Sequence, residues 1–497
     1  MIEKKSVIII GAGIGGIATA VYLAKNGYQV KVYEKNLFPG GRCGQIIRDG
    51  HRFDIGATLL LMPSVYKQVF EALGLKFEEC FELKPLSTIY KIYFENTGQL
   101  DFSTIDNVMK QQLEKIEPGS FNRYQKYISN GYRYFQDSMM NLLAKNFYTI
   151  FDFANLKNVL LLIRLKTYIS HHTYVSKFFK NPDLRKAFTF QNIYVGQSPY
   201  SAPALFSMLP ATELSEGTVF PIGGMFSVIE KLVNTAIESG VQFYYNKSAV
   251  KIEISNDRAK SIILSDGTTI SADIIVVNAD LPYSYRKLLP DRKISLRIDK
   301  MKYACSAIVF HWGLNKAFPQ LGHHSVFLSG EYRKNLDMIF RKKSMSDKPS
   351  FYIHAPVRTD PTAAPNGEDS ISVIVPVGHV DENYFQDWDN IRNTARLEVI
   401  KRLKEMGMGD IEKHIKFEIC YPPKAWENIY NISRGSVFGS LNHSVMQMGY
   451  FRPHNRHDTY RNLYFVGGST HPGNGVPLVL LSAKLTAERI FKESPKL

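Results

Sequence analysis

The chain has 497 residues, of which 44% are hydrophobic and 22% charged, and its formal net charge is +15. This apolar content can supply cores for about two to three domains and excludes an intrinsically disordered chain. No Lys/Arg block resembles a nucleic-acid tail and no Cys/His spacing is typical of a metal site, so neither nucleic acid nor metal is expected. The basic charge fits either an anionic membrane surface or general solubility.

The four cysteines, Cys43, Cys80, Cys305 and Cys420, are scattered and form no C-x-x-C pair. This distribution favours a reducing cytoplasm over a disulfide framework. The N-terminus runs into an apolar segment without the pattern of a signal peptide, and no stretch approaches about 18 uninterrupted apolar residues. The sequence therefore predicts a cytoplasmic protein that meets a membrane only at its surface.

The first strong motif is a strand, a glycine loop and a helix near the N-terminus. Ser6–Ile10 is a β-branched run typical of a buried parallel strand, and a G-x-G-x-x-G loop follows at residues 11–16. In such a loop Gly11 permits the tight turn, Gly13 lets the backbone approach a pyrophosphate, and Gly16 lets the helix pack closely on the strand. The helix N-terminus then offers free N–H groups to the phosphates.

An acidic residue and a second glycine turn complete this unit. The predicted strand Gln29–Tyr33 ends at Glu34, near the roughly 20-residue spacing at which an acid binds ribose hydroxyls. Glutamate here fits an unphosphorylated ribose, as in FAD or NAD. The turn Pro39–Arg42, with the sequence Pro-Gly-Gly-Arg, follows at once. Together these features predict a dinucleotide-binding domain.

The chain then alternates between a hairpin and a long helical stretch. Residues 87–102 show strand alternation around a turn at Asn96–Gly98, and residues 103–185 are predicted to be mostly helical, beginning at Glu114. Within them, residues 142–180 interleave apolar and aromatic residues with Lys and Arg against a single acid, Asp152. This pattern is typical of an interfacial helix pair on a membrane, and it also fits core-facing helices with a basic exposed face.

Later segments return to the cofactor domain and then build a second sheet. Pro221–Met225 opens a predicted helix, and short strand patterns fill residues 241–280, as in a small β-meander. A helix is predicted at Asp389–Lys404. Further strands are predicted at Cys305–Trp312, Ser325–Leu328, Phe351–Ala355 and Ile371–Pro376.

The second strong motif lies near the C-terminus. Residues 462–477 have the pattern of a strand, a glycine turn and a helix, with Pro477 near the first helical position. A helix N-terminus here would place a positive dipole and free N–H groups against the cofactor, on the flavin ring or its ribityl chain if that cofactor is FAD. Glycine turns therefore recur at both ends of the chain.

These motifs together resemble the bacterial and fungal phytoene desaturase family of the FAD-dependent amine oxidase superfamily, which includes diapophytoene desaturases and related carotenoid oxidases. The resemblance rests on the glycine loop, on Pro39–Arg42 and Pro221–Met225, and on Gly468–Pro477 followed by Ser482–Lys484. It spans nearly the whole chain and implies FAD as the cofactor. By position, the residues that would contact FAD are Gly11, Gly13, Gly16, Glu34, Arg42, Val250, Gly468 and Val476.

The resemblance also implies an enzyme of carotenoid biosynthesis that introduces C=C bonds into a long acyclic isoprenoid hydrocarbon by hydride transfer to flavin. At about 0.8 kcal/mol per CH₂, moving such a substrate through water would cost roughly 20 kcal/mol. Peripheral docking on the cytoplasmic membrane is therefore expected, and a homo-oligomer there is compatible with it. No catalytic residue is assigned. Glu213, His454 and His471 are candidate proton acceptors, and a structural role is the simpler interpretation of each.

The predicted fold class is α/β, with a Rossmann-like FAD-binding domain that contains a parallel sheet and a β-meander. A mixed-sheet substrate domain and a helical, membrane-facing segment complete it. The predicted boundaries are 1–86, 222–285 and 425–497 for the FAD-binding domain, 87–102 and 286–424 for the substrate sheet, and 103–221 for the helical subdomain.

Three alternatives stay open. Within the family, the chain could oxidise terminal methyl groups of a carotenoid or desaturate a hydroxylated one. A non-catalytic prenyl-binding escort protein would share the fold, but the intact glycine turns argue against it. A soluble amine oxidase is the third alternative, against which the basic apolar segment 142–180 speaks.

Overall fold

The computed structural model describes residues 4–95 and 97–495 of the chain. Asn96, in the turn of the predicted hairpin, lies outside the described residues. The described part contains a parallel sheet, a large mixed sheet, three small sheets and the helices that cover or connect them.

The strands follow the chain from the glycine loop to the C-terminal motif. They are β1 Ser6–Ile10, β2 Gln29–Tyr33, β3 Gln45–Arg48, β4 His51–Asp54, β5 Leu83–Leu86, β6 Thr88–Phe94, β7 Gly98–Ser103, β8 Thr218–Pro221, β9 Gln242–Tyr244, β10 Ala249–Ser255, β11 Arg258–Leu264, β12 Thr269–Ser271, β13 Ile274–Val277, β14 Ser306–Leu314, β15 His324–Leu328, β16 Phe351–His354, β17 Asp369–Val377, β18 Ile415–Tyr421 and β19 Leu463–Phe465.

The largest group of α-helices, α4 to α10, lies between β7 and β8. They are α1 Ile14–Lys25, α2 Pro63–Ala72, α3 Phe77–Cys80, α4 Asp106–Ile116, α5 Ser120–Ser138, α6 Ile150–Phe153, α7 Leu156–Arg164, α8 His171–Val175, α9 Pro182–Ala187, α10 Met208–Glu216, α11 Phe226–Glu238, α12 Leu281–Tyr283, α13 Arg292–Asp299, α14 Tyr332–Phe340, α15 Trp388–Glu405, α16 Pro423–Tyr430 and α17 Val476–Glu493.

The first sheet is parallel and places the glycine loop at the carboxyl end of its central strand. Its strand order is β19-β13-β1-β2-β9, and each neighbouring pair is parallel. Helix α1 connects β1 to β2 and packs against α11 and α17. Val7, Ile8 and Ile9 are almost fully buried, as expected for a parallel strand covered on both faces. The predicted Rossmann-like sheet is confirmed.

A three-stranded antiparallel sheet, β10-β11-β12, accompanies the parallel sheet. It corresponds to the β-meander predicted within residues 241–280. Its first pair of strands contains a register shift between Ala249 and Lys251. A bulge of this kind changes the direction in which neighbouring side chains point.

The large sheet has the strand order β18-β14-β17-β16-β15-β6-β7. Its pairs are antiparallel except for β15 with β6, so it is the mixed sheet that was predicted. The hairpin expected at residues 87–102 forms β6 and β7, and the strands predicted from Cys305 to Pro376 form β14 to β17 with ends shifted by a residue or two. The predicted helix at Asp389–Lys404 is α15.

The helical part between β7 and β8 begins at α4, eight residues before the predicted start at Glu114. Its longest helix, α5, packs against α10. A Cβ atom on Gly131 would lie 2.5 Å from the Ser207 carbonyl oxygen, so the two backbones approach closely there. Glycine at this position lets the backbone of α5 pack directly on the residues that begin α10.

The segment 142–180 differs from the predicted pair of interfacial helices. It contains three short helices, α6, α7 and α8, of which the longest has 9 residues. Each begins at a side-chain cap: Thr149 with Asp152 forms a capping box before α6, Asn155 caps α7 and Ser170 caps α8. Among the described residues, none of the helices combines the length and apolar character needed to span a bilayer.

Candidate functional site

A cavity of about 550 Å³ is lined by residues of the parallel sheet, the mixed sheet and the helical part. Its lining includes the loops after β1 and β2 in the parallel sheet, side chains of the mixed sheet such as Val309, and Leu162 of α7. Ligands of open α/β sheets bind outside the carboxyl ends of the strands, which is where these loops lie. The cavity is the candidate functional site.

The glycine loop has the close contacts that its pattern predicts. Gly11 has φ of 99°, a left-handed conformation that favours glycine. A Cβ atom on Gly16 would lie 2.3 Å from the Gly11 carbonyl oxygen, so α1 packs directly on the loop. Gly11, Gly13 and Gly15 line the cavity, and Gly16 lies behind them. The free N–H groups of the first turn of α1 are therefore placed beside the cavity.

Glu34 lines the cavity directly after β2, and its side chain is almost fully buried. Its Oε2 accepts a 2.8 Å hydrogen bond from the Ala12 backbone N–H, and its Oε1 accepts one of 2.8 Å from the Asn36 N–H. Burial raises the pKa of this carboxyl, while both N–H donors oppose that shift. The carboxylate keeps further lone pairs that can accept from ribose hydroxyls.

The second glycine turn lies against the first one. The Gly40 N–H donates to the Ala12 carbonyl oxygen at 2.8 Å. Arg42 follows and lines the cavity, where its Nη1 donates to the Val437 carbonyl oxygen at 2.9 Å. Its Nη2 lies 3.6 Å from the position that a Cβ atom on Gly468 would occupy. Motifs from both ends of the sequence therefore meet at one wall.

The C-terminal glycine run ends in the N-terminus of α17. Gly468 and Val476 both line the cavity. Gly475 precedes α17 with φ of 89°, and Pro477 lies in the first turn as predicted. Two helix N-termini, those of α1 and α17, thus contribute to the same cavity, and both favour negative charge there.

Polar residues after β13 also line the cavity, although the sequence analysis did not single them out. Asn278 Nδ2 donates to the Gly11 carbonyl oxygen at 3.1 Å. Asp280 accepts 3.0 Å hydrogen bonds from Ser469 Oγ and from the Ser433 N–H. Their position in the sequence could have identified them, because polar residues that directly follow a buried parallel strand lie at the edge of the sheet where ligands bind.

Arg452 is fully buried and was also missed. Its guanidinium donates to five backbone carbonyl oxygens, those of Leu441, Asn442, Gln447, Gly468 and Thr470. Two of these carbonyls belong to the glycine run that lines the cavity, so this side chain fixes the backbone of the site. No local pattern marks such a residue, since its partners come together only in the fold.

Val250 lies beside the cavity lining rather than in it. The residues of this part of the chain that line the cavity are Lys247, Ser248 and Ala249. Val250 follows them at the irregularity in β10, and 45% of its surface is exposed. Its contact with an adenine stays a prediction.

None of the three candidate proton acceptors lines the cavity. Glu213 is buried and accepts hydrogen bonds from Tyr90 Oη at 2.9 Å and from Gln191 Nε2 at 3.1 Å. Burial raises the pKa of its carboxyl to about 8. His454 and His471 each form a hydrogen bond with a backbone carbonyl oxygen, at 3.1 and 2.9 Å. These environments fit structural roles.

Beyond the glycine turns the cavity walls are mostly apolar. They include Leu209 of α10, Val326 of the mixed sheet and Leu162 of α7. The opposite face of α7 is exposed, with Leu156 75% and Leu160 57% accessible to solvent. Helix α7 therefore separates the apolar part of the cavity from solvent.

The donor set fits FAD. Two helix N-termini suit its phosphates and the electron-rich part of its ring, and a buried carboxylate with free lone pairs suits its ribose. The glycine turns leave no side chain between the backbone and such a ligand. The parallel sheet, the meander and this site together define a flavoprotein of the dinucleotide-binding type.

The chain belongs to the flavin-containing amine oxidoreductase family, whose profile matches residues 14–491. It is an FAD-dependent oxidoreductase. The resemblance inferred from the motifs is confirmed by two curated relatives. The chain is 39% identical to the phytoene desaturase of Fusarium fujikuroi, over 99% of this chain and 90% of that protein. It is 32% identical to the 4,4'-diapophytoene desaturase (4,4'-diaponeurosporene-forming) of Staphylococcus haemolyticus, over 98% of this chain and 99% of that one.

Solved structures support the fold. The structure of putrescine oxidase bound to putrescine superposes with a TM-score of 0.65 and covers 99% of each chain, at 13% sequence identity. A similarity at this level of identity concerns the architecture alone. It agrees with the predicted combination of a Rossmann-like domain and a mixed-sheet domain.

Proposed function

We propose that this enzyme introduces C=C bonds into a long acyclic isoprenoid hydrocarbon of the phytoene or 4,4'-diapophytoene type. The two curated relatives carry the names of such desaturases and match nearly the whole chain. The structural observation that carries the proposal is the continuity of one cavity, from the glycine turns to an apolar part closed by α7. An oxidase of terminal methyl groups, a hydroxycarotenoid desaturase and a non-catalytic escort protein are not favoured by these relatives.

The proposed FAD contacts are those inferred from the sequence. They are Gly11 and Gly13 at the pyrophosphate, Glu34 at the ribose, Val250 at the adenine, and Arg42, Gly468 and Val476 toward the flavin ring, with Gly16 setting the position of α1. The placement of all but Gly16 and Val250 in the cavity wall supports these assignments.

When bound, FAD supplies an acceptor for the hydride that leaves a substrate carbon. The chain aligns the substrate along apolar walls and excludes water around it. The N–H groups at the start of α17 favour negative charge beside them. A proton leaves the neighbouring carbon, and we assign no acceptor for it, because Glu213, His454 and His471 lie outside the cavity wall.

The outer face of α6 and α7 is proposed to dock on the cytoplasmic face of the membrane that holds the substrate. Phe151 and Leu156 are 79% and 75% exposed, and Lys157 and Arg164 flank the apolar side chains. Apolar residues with neighbouring cations are the composition of a helix that lies in a bilayer interface. Leu162, on the inner face of α7, would then receive the hydrocarbon directly from the lipid.

The decisive experiment is anaerobic incubation of the FAD-loaded protein with liposomes that contain phytoene or diapophytoene. Bleaching of the oxidised flavin together with a new conjugated polyene supports the proposal, and the polyene identifies the chain length and the number of steps. If FAD binds but neither hydrocarbon bleaches it, the desaturase assignment is refuted and an oxidase that acts on a coloured carotenoid is favoured instead. Failure to bind FAD would refute the catalytic assignment.

Membrane docking is tested separately by cosedimentation with anionic liposomes. The double variant Leu156→Glu/Leu160→Glu is expected to lose at least about tenfold in liposome affinity and to keep its FAD, because both side chains are on the outer face of α7. The matched control is Phe385→Glu, which changes a 97% exposed residue between β17 and α15. Equal loss in both variants would contradict docking through α7.

A further inference from the structure

Three buried histidines come together behind the cavity wall. His323, His324 and His354 are all shielded from solvent, and each offers a ring nitrogen within 4.8 Å of a ring nitrogen of the other two. His324 and His354 face each other across the antiparallel pair β15 and β16. His323 immediately precedes β15, and because it lies outside the regular strand its ring can turn toward that of His324, with 4.4 Å between ring centroids. Adjacent residues inside a strand would point to opposite faces.

One pair of these nitrogens, which form a hydrogen bond with each other, has the spacing of two ligands on one ion. Nε2 of His323 and Nε2 of His354 are 3.2 Å apart. Two nitrogens at about 2.0 Å from a tetrahedral Zn²⁺ are about 3.3 Å from each other. Imidazole is a ligand that Zn²⁺ and the neighbouring divalent transition metals accept.

Two of the three rings have a hydrogen-bond partner for their second nitrogen, while His354 Nδ1 is buried and has none among the described residues. His323 Nδ1 lies 2.6 Å from Thr359 Oγ1, and His324 Nδ1 lies 2.7 Å from Tyr352 Oη. The hydrogen bond of the second ring nitrogen fixes the tautomer and orientation of a metal-bound histidine, and each of these hydroxyl oxygens can accept that N–H.

We propose that His323, His324 and His354 bind a divalent transition metal ion, Zn²⁺ in the first place, with a fourth position left to water. The ion would tie β15 to β16 and to the turn that carries Thr359. It would also act on the cavity, since Tyr352 lines the cavity and its hydroxyl contacts both His324 and Thr58. The site supports the wall of the cavity and takes no part in the redox chemistry. A sequence search for paired Cys/His motifs misses it, because His323 and His324 at the start of β15 are 30 residues or more from His354 in β16.

The test uses the FAD-loaded protein after treatment with a chelator, titrated with Co²⁺ and then with Zn²⁺. We expect one Co²⁺ per chain with the visible absorption of a tetrahedral site, displaced by Zn²⁺. His323→Asn and His354→Asn are expected to lose this absorption. The matched control is His51→Gln, which removes another buried histidine, one that is hydrogen-bonded to Ser370 and Glu368. This variant should keep the Co²⁺ absorption.

A fourth variant tests the hydrogen bond that orients one of the proposed ligands. Thr359→Val removes the partner of His323 Nδ1 and is expected to weaken Co²⁺ binding about 10- to 100-fold without abolishing it. Absence of Co²⁺ uptake by the wild type, or identical uptake by the wild type and the two Asn variants, would overturn the proposal. If those variants lose FAD and cannot be compared, X-ray absorption of the Zn²⁺-loaded wild type decides, because fewer than three imidazole ligands would refute the site.

Discussion

The carboxylate of Glu34 and the backbone N–H of Ala12 are joined by a 2.8 Å hydrogen bond between the segments that follow the neighbouring strands β1 and β2. The Ala12 carbonyl oxygen accepts in turn from Gly40, so the acid, the first glycine loop and the second glycine turn form one connected unit. A ribose and a pyrophosphate that bind here meet groups whose positions are already set. Such preorganisation raises affinity, since less conformational freedom is lost on binding.

Glu34→Gln tests this unit. Both carboxylate oxygens accept a backbone N–H, so a glutamine must turn its NH₂ group against one of these donors. We expect a loss of about 1–3 kcal/mol in FAD binding, or roughly 5- to 150-fold in Kd, measured by titrating the apoprotein. Glu253→Gln is the control, because Glu253 accepts from Ser261 in the meander and does not line the cavity. An unchanged Kd for Glu34→Gln would show that the acid does not hold the cofactor.

Gly16→Ala tests the packing of α1 on the glycine loop. The new methyl group would lie 2.3 Å from the Gly11 carbonyl oxygen, which belongs to the backbone and cannot move aside alone. We expect a loss of about 1–3 kcal/mol in stability and a lower FAD content, measured by thermal unfolding and flavin absorbance. Gly409→Ala should change neither, because no described residue other than its two chain neighbours lies within 4 Å of its Cβ position. Normal FAD content in Gly16→Ala would contradict the proposed role of this glycine.

The elements that were predicted correctly are determined by short sequence patterns within the elements themselves. The glycine loop, the strands of both sheets and the start of α17 follow from β-branched runs, glycines and one proline within a few residues. Helix breaks in the segment 142–180 were missed, although Thr149, Asn155 and Ser170 are ordinary N-cap residues. The apolar periodicity of that segment is strong, and it gives no information on where a helix ends.

The residues of the site that were missed depend on tertiary structure. The partners of Arg452 are carbonyl groups of the loops on either side of it, at residues 441–447 and 468–470, and any residue type provides a carbonyl. Asn278 was within reach, since it follows a predicted strand. The position of Val250 at the edge of the cavity depends on a bulge in β10, which the sequence pattern of a strand does not show.

Arg452→Lys tests the support of the C-terminal glycine run. A lysine has three donors at one point and cannot reach the five carbonyls that the planar guanidinium serves. We expect a loss of about 3–5 kcal/mol in stability together with weaker FAD binding, measured by thermal unfolding with and without added FAD. Arg341→Lys, which changes the exposed partner of Asp337, should cost about 1 kcal/mol or less. Equal losses would show that Arg452 has no special role.

The buried Glu213 makes stability depend on pH. Its folded-state pKa of about 8 lies above the ordinary value of 4.5, so the folded protein keeps this proton where the unfolded chain has released it. Its favourable contribution is complete below about pH 4.5 and is lost as pH rises through about pH 8. Because one pKa unit corresponds to about 1.4 kcal/mol, the loss has an upper limit of about 5 kcal/mol.

Glu213→Gln should remove this pH dependence and retain the fold. Its amide oxygen can accept from Tyr90. Once the Gln191 amide turns over, the new NH₂ can donate to Gln191 Oε1, a buried atom that has no hydrogen-bond partner among the described residues of the wild type. The measurement is the unfolding temperature between pH 5 and pH 9, which should fall less in Glu213→Gln than in the wild type. The control is Glu216→Gln, which changes a half-buried residue at the C-terminal end of the same helix. Its unfolding temperature should vary with pH as that of the wild type does. Parallel curves for wild type and Glu213→Gln would mean that Glu213 does not hold its proton in the folded protein at neutral pH.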